Sequence, residues 1–206
     1  MTAQGLIFTI GHSTHPIERF LELLILHKVS VVADVRSSPY SKYSPQFNKD
    51  TLSQTVKEKG IKYVFLGKEL GARADDPKCY ENGQVKYSRL AMRSEFREGI
   101  ERLKRGAGEH RIALMCAERE PLECHRTLLV ARALDAEGFR ISHIHADGSL
   151  EEHADAMERL LDLVGLPHED LFRAKSELVA DALAKQESRV AYRDESKENA
   201  ESGVAK

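Results

Sequence analysis

The chain has 206 residues, 41% of them hydrophobic, 31% charged and 6% aromatic. That is enough for one sizeable core and too apolar for a wholly disordered chain. The net charge of −2 argues against a surface built throughout for nucleic acid, and no apolar run approaches the ~18 residues a membrane span needs.

The first β-rich run is Leu6–Ile10, and Ile17, Phe20, Leu21 and Leu24 then repeat at helical spacing. Ser30–Val35 is a second strand. Asn48 is placed to cap a helix carrying Leu52 and Val56, which Gly60 ends. Lys62–Leu66 is a third strand. The segment from Gly67 to Ser88 has no period and reads as a long functional or disordered loop. Leu90 to Lys104 is helical, with Phe96, Ile100 and Leu103 as its stripe. Arg111–Cys116 is a fourth strand. Pro121 suits the first turn of a helix running through Leu128 and Leu134 to Gly138. Arg140–Ile144 is a fifth strand. Ser149 and Glu152 form a capping-box pattern ahead of Leu150, Ala154, Met157, Leu161 and Val164.

Strands alternating with helices predict a mainly parallel sheet. The expected fold is α/β: a single three-layer domain over residues 5–165, with five strands and helices on both faces. Residues 166–187 read as a helical extension marked by Leu171, Lys175, Leu178 and Ala182, and residues 188–206 as a disordered tail. The N-terminus lacks a basic, cleavable leader and three cysteines make no disulfide scaffold, so the expected compartment is cytoplasmic.

Ligands of open parallel sheets bind beyond the carboxyl ends of the strands. Five strand ends lead into polar segments on one rim: Gly11-His12-Ser13-Thr14, Asp34-Val35-Arg36, Gly67 to Arg73, Cys116-Ala117-Glu118 with Cys124-His125-Arg126, and His143-Ile144-His145. The opposite rim carries mostly turn residues. The pieces TIGHST, ADVRSSP, FLGKELGA, LMCAEREPLECHR and HIHADG, in this order, resemble the domain-of-unknown-function family numbered 488 over about residues 7 to 163. The resemblance implies that Gly11, His12, Ser13, Asp34, Arg36, Cys116, Glu118, Cys124, His125 and Arg126 occupy recurring motif positions. It implies no activity.

Read from the residues, Cys116 is the best nucleophile, and Glu118, His12 and His145 are the proton movers. Ser13, Asp34, Arg36, Arg73, Tyr80, Cys124, His125 and Arg126 are expected to bind the substrate. Arg36, Arg73 and Arg126 on separate elements favour an anionic ligand. The bland readings are that Cys116 and Cys124 are small buried hydrophobes, that Ser13 and Thr14 cap a helix, and that Asp34 and Arg36 pair with each other. A phosphatase loop fails at Leu122, and no nucleotide-binding glycine motif occurs. DVRS on an early strand with a later strand-terminal Cys resembles the rhodanese fold, but the loop after Cys116 is acidic from Ala117 to Glu120 instead of a glycine cradle, which leaves sulfur transfer a minor option.

The expected function is therefore a hydrolase or group transferase acting on a small anionic molecule, nucleotide-like ligands among the candidates, without a cofactor. The first alternative is a regulatory module that binds a ligand or a metal. Zinc or iron would then sit on Cys116, Cys124 and His125, although neighbouring helical residues point about 100° apart. The second alternative, nucleic-acid processing through the Gly67–Ser88 segment, is not favoured. No membrane partner is expected.

Overall fold

Strand β1 (Leu6–Gly11) is buried along most of its length because both faces of the sheet are covered. The computed structural model describes residues 5–197. Helix α1 (Ile17–Leu26) follows, then β2 (Val31–Asp34), α2 (Lys49–Glu58), β3 (Lys62–Phe65) and the short α3 (Gly67–Leu70). A small hairpin, β4 (Tyr80–Glu81) and β5 (Gln84–Val85), leads into α4 (Tyr87–Ala91) and α5 (Ser94–Ala107). Then come β6 (Ile112–Cys116), α6 (Arg132–Ala136), β7 (Arg140–Ile144), β8 (Leu150–Glu152), α7 (His153–Val164) and α8 (Lys175–Val190).

The main sheet has the order β3-β2-β6-β1-β7-β8. All neighbours pair in parallel except β8, which runs antiparallel to β7. The fold is thus α/β with a mainly parallel sheet, as the alternation predicts. Side chains alternate across the sheet with the period of two that strands impose. Phe8, Ile10, Val32, Ala113 and Met115 join the core beneath α1 and α2. Ile7, Val31, Ala33, Ile112 and Leu114 join the other core, with α5, α7 and α8.

Several expectations are corrected. The sheet has six strands, not five. The segment expected to open a helix at Ser149 instead forms β8, and α7 starts at His153. Ser149 bonds Asp147 rather than capping a helix, and the Glu152 carboxylate takes Arg140. At α1 the N-cap is Pro16 with no side-chain cap bond, while Ser13 sits at φ 48°. The Asn48 side chain does not cap α2. It accepts from the backbone of Ser41. The expected helix from Leu90 is two helices, separated at Met92-Arg93.

The Gly67–Ser88 segment is built, not structureless. It carries α3, the hairpin and the start of α4. Asn82 and Gly83 both take positive φ (48° and 70°), the requirement of a tight hairpin turn that a right-twisted pair prefers. The chain beyond α8 is also placed, through Lys197. Tyr192 O accepts from Val85 N at 3.0 Å, Asp194 N donates to Gly83 O at 2.8 Å, and Lys197 Nζ donates to Ala74 O at 2.8 Å. Disorder therefore does not describe residues 188–197, and residues 198–206 lie outside the described chain. Leu171 is 95% exposed and belongs to no helical stripe.

Candidate functional site

Strands β1 and β6 are in register at Gly11 and Cys116, so their carboxyl ends lie side by side. The contact continues past the strands: His12 N donates to Cys116 O and Ser13 N to Ala117 O, each at 2.9 Å. Gly11 is needed here. A Cβ on it would stand 1.9 Å from Glu118 O, so only glycine lets the Glu118 turn fold over the end of β1.

After Glu118 the chain does not enter an α-helix. Pro121–Glu123 is a single 3-10 turn, Cys124 is extended (φ −135°, ψ 138°), and Arg126–Ala131 is a π-helical segment, buried throughout. This irregular backbone removes the geometric objection to Cys124 and His125 acting together. His125 Nδ1 lies 3.7 Å from Cys116 Sγ and 3.9 Å from Cys124 Sγ. Cys124 Sγ and Glu118 Oε2 share a hydrogen bond at 3.0 Å. The four donor atoms, two sulfurs, one nitrogen and one carboxylate oxygen, all lie within 4.8 Å of one another. His125 Nε2 faces Val35 O at 2.9 Å. A carbonyl can only accept, so Nε2 carries the proton and Nδ1 presents its lone pair to the sulfurs.

The two thiols differ electrostatically. Burial opposes ionisation of Cys124, but the bond from Cys116, the Arg126 cation and the imidazole outweigh it and hold this thiol well below its ordinary value. Burial, and then the neighbouring Cys124, push the Cys116 thiol well up. Glu118 is exposed over much of its residue, yet its carboxyl is pushed up, first by desolvation and then by the Cys124 sulfur. Burial would lower His125, but Cys124 and Glu118 raise it.

A cleft of about 210 Å³ opens onto this cluster. Cys116, Glu118 and His125 line the cleft together with Arg36, Ser37, Ser38 and Arg73. Ala72, Tyr87, Ala117, Glu123, Val190 and Tyr192 complete it. Arg73 lies over the Tyr192 ring at 4.4 Å.

The other expected site residues fall into three groups. Arg36 and Asp34 form the ion pair of the bland reading: Arg36 Nη2 donates to Asp34 Oδ2 at 2.6 Å and Nε to Oδ1 at 2.9 Å. Tyr63 Oη also donates to Asp34, and Arg36 reaches Phe47 O and His12 Nε2. His12 stacks on Phe47 at 4.3 Å and is held neutral, lowered to about 4 chiefly by burial. With Nδ1 on Ser13 O and Nε2 taken by Arg36, it positions Arg36 and is not free to move protons. Arg126 is fully buried and donates to Glu118 O and Arg119 O, behind the cleft.

Three more residues lie away from the cleft. Tyr80 is buried and donates to Ala74 O, a structural contact of the hairpin. His145 pairs with Glu151 in a separate hollow with Arg119 and Asp147. Ser13 contributes its backbone to the β6 end. Sequence reasoning passed over Ser37 and Ser38 as binding groups, though both lie in the ADVRSSP piece. Tyr87, Val190 and Tyr192 reach the cleft from segments read as loop and tail, and no local signal marked them.

The fold and site define an α/β protein with a sulfur, nitrogen and carboxylate cluster at the carboxyl edge of its sheet. The family described as Domain of unknown function DUF488 matches residues 16–133, more than half of the chain, and the chain belongs to that family. Comparison with curated proteins and with solved structures gave no match. No helix among the described residues is long and apolar enough to cross a membrane.

Proposed function

We propose that the protein is a hydrolase or group transferase acting on a small anionic substrate held in the cleft beside Cys116. The observation that carries this reading is that Cys116, Glu118 and His125 line one cleft together with Arg73, Ser37 and Ser38. In that arrangement His125 Nδ1 accepts a thiol proton and Glu118, its carboxyl raised, exchanges one with the substrate. Arg73 is the anion-binding cation, because Arg36 and Arg126 already direct their N–H groups into the protein. Ser37 Oγ accepts from Arg73 N at 3.0 Å, which leaves its hydroxyl hydrogen for a ligand.

The test is a thermal-shift screen of nucleotides and phosphosugars on the wild type and on Arg73→Ala. At least one such anion is expected to raise the wild-type Tm by several degrees, and Arg73→Ala to lose most of that shift. A screen in which no small anion stabilises the wild type, or in which Arg73→Ala responds equally, would contradict the reading.

A further inference from the structure

We propose that Cys116 Sγ, Cys124 Sγ, His125 Nδ1 and Glu118 Oε2 bind one zinc-class divalent ion at the floor of the cleft. This rests on the cleft reading for where the substrate lies and replaces the proton-transfer roles given there to His125 and Glu118, which become ligands once the ion is bound; the two readings can fail separately.

Three observations carry it. The first is geometric. A tetrahedral ion with bonds of ~2.3 Å to sulfur and ~2.0 Å to nitrogen or oxygen has sulfur–nitrogen and sulfur–oxygen edges of about 3.5 Å. The two sulfur–nitrogen separations are 3.7 and 3.9 Å, within a few tenths of an ångström of that edge. The Cys124–Glu118 separation of 3.0 Å is a hydrogen bond, which would open by about half an ångström once the ion replaced the shared proton.

The second concerns the supporting contacts. The Nε2 hydrogen bond to Val35 O fixes the His125 ring and its tautomer with Nδ1 turned to the sulfurs. Arg126 N donates to Cys124 Sγ at 3.4 Å, the kind of contact that supports a thiolate ligand. Both cysteines are buried, whereas Glu118 keeps a solvent side towards the cleft.

The third is a charge imbalance. Arg126 has no exposed surface and no carboxylate partner at ion-pair distance among the described residues, and its Nε has no hydrogen-bond partner. A buried cation without a counter-charge is costly. Two thiolates and a carboxylate around a divalent ion carry a net charge of −1, which is the missing counter-charge. Binding forms two metal–sulfur bonds, one metal–nitrogen bond and one metal–oxygen bond, and sends to solvent the Cys116 thiol proton and the proton shared by Cys124 and Glu118. Nothing is oxidised or reduced. The soft sulfur pair with one imidazole selects a zinc-class ion over magnesium or calcium.

The test uses the full chain, stripped of metal by chelation under reducing conditions and titrated with cobalt(II). A thiolate-to-cobalt charge-transfer band with strong tetrahedral visible bands is expected to saturate at one equivalent and vanish with one equivalent of zinc. Cys124→Ser is expected to abolish the charge-transfer intensity contributed by one sulfur. Glu118→Gln, at a partly exposed position, is expected to weaken cobalt binding at least tenfold while far-UV circular dichroism stays unchanged. Cys79→Ser, a buried thiol outside the cluster, is expected to bind as the wild type does. A folded, reduced wild type that gives no such band, or a Glu118→Gln and Cys124→Ser pair that both titrate like the wild type, would overturn the proposal. Cobalt binding without any anion-dependent thermal shift would overturn the cleft reading and leave this one standing, and an anion shift in a chain that takes up no cobalt would do the reverse.

Discussion

Buried histidines at the strand ends are held without charge. His143 has no exposed surface, lies 2.8 Å from Thr9 Oγ1 through Nδ1 and 3.1 Å from His153 Nδ1 through Nε2. Burial, then His153 and Arg126, lower it to about 2. His153 is also lowered by burial. A group whose folded-state pKa lies below its unfolded value of ~6.5 binds its proton first in the unfolded chain, so stability is present above pH 6.5 and lost as pH falls below it. Urea-unfolding free energies are therefore expected to fall between pH 7 and pH 5, by up to about 1.4 kcal/mol per pH unit for each such histidine. His143→Gln is expected to flatten that slope, even if it lowers stability at pH 7. An equal slope in the variant would show that other groups carry the acid sensitivity. At this scale the sequence told much. Cys116, Glu118, Cys124, His125 and Arg36 were marked by the motif pieces, and all five are at or beside the cleft. What it could not tell was direction. Asp34 and Arg36 two apart allow either an internal pair or a ligand contact, and only the Tyr63 and Phe47 contacts from distant segments decide for the pair.

Among elements, the strands were the most legible, because burial on both faces writes itself as continuous apolar runs. The segments that shape the site were the least legible. The extended Cys124 and the π-helical turn after it read as ordinary helix, since a one-residue change in hydrogen-bond register leaves the apolar pattern nearly intact. Antiparallel β8 was read as the first turn of a helix because Leu150 fitted the apolar stripe. The C-terminal strap was hidden by its polar composition. Its attachment is mainly backbone pairing to the hairpin, which composition does not encode. Val190, Ala191 and Tyr192 pack against the core that holds the cleft. A chain ending at Glu187 is expected to lose about 1–3 kcal/mol relative to one ending at Lys197, or roughly 2–10 °C in Tm, from the apolar surface re-exposed. Equal melting of the two chains would mean that the strap contributes nothing to the cleft wall.

The whole molecule places its irregular backbone at one edge. Strands β1, β2 and β6 are neighbours in the order β3-β2-β6-β1-β7-β8, although α2, β3, the hairpin and α3 to α5 separate β2 from β6 in the chain. Chain returning from β3 to a position between β2 and β1 brings the Cys116 end against both the Gly11 and Asp34 ends. Of the two other polar strand ends, the one after β3 brings Arg73 to the cleft, and the one at His145, beyond β1 on β7, serves a different hollow. The polar rim in the sequence is thus two sites in space, and only the topology separates them. The four donor atoms of the proposed centre all come from the one turn segment between Cys116 and His125. Zinc K-edge X-ray absorption on the purified full chain loaded with one equivalent of zinc tests that turn most directly. Two sulfur scatterers at about 2.3 Å with two nitrogen or oxygen scatterers at about 2.0 Å are expected. A shell of nitrogen and oxygen alone, or a single sulfur, would contradict a centre in which Cys116 and Cys124 act together.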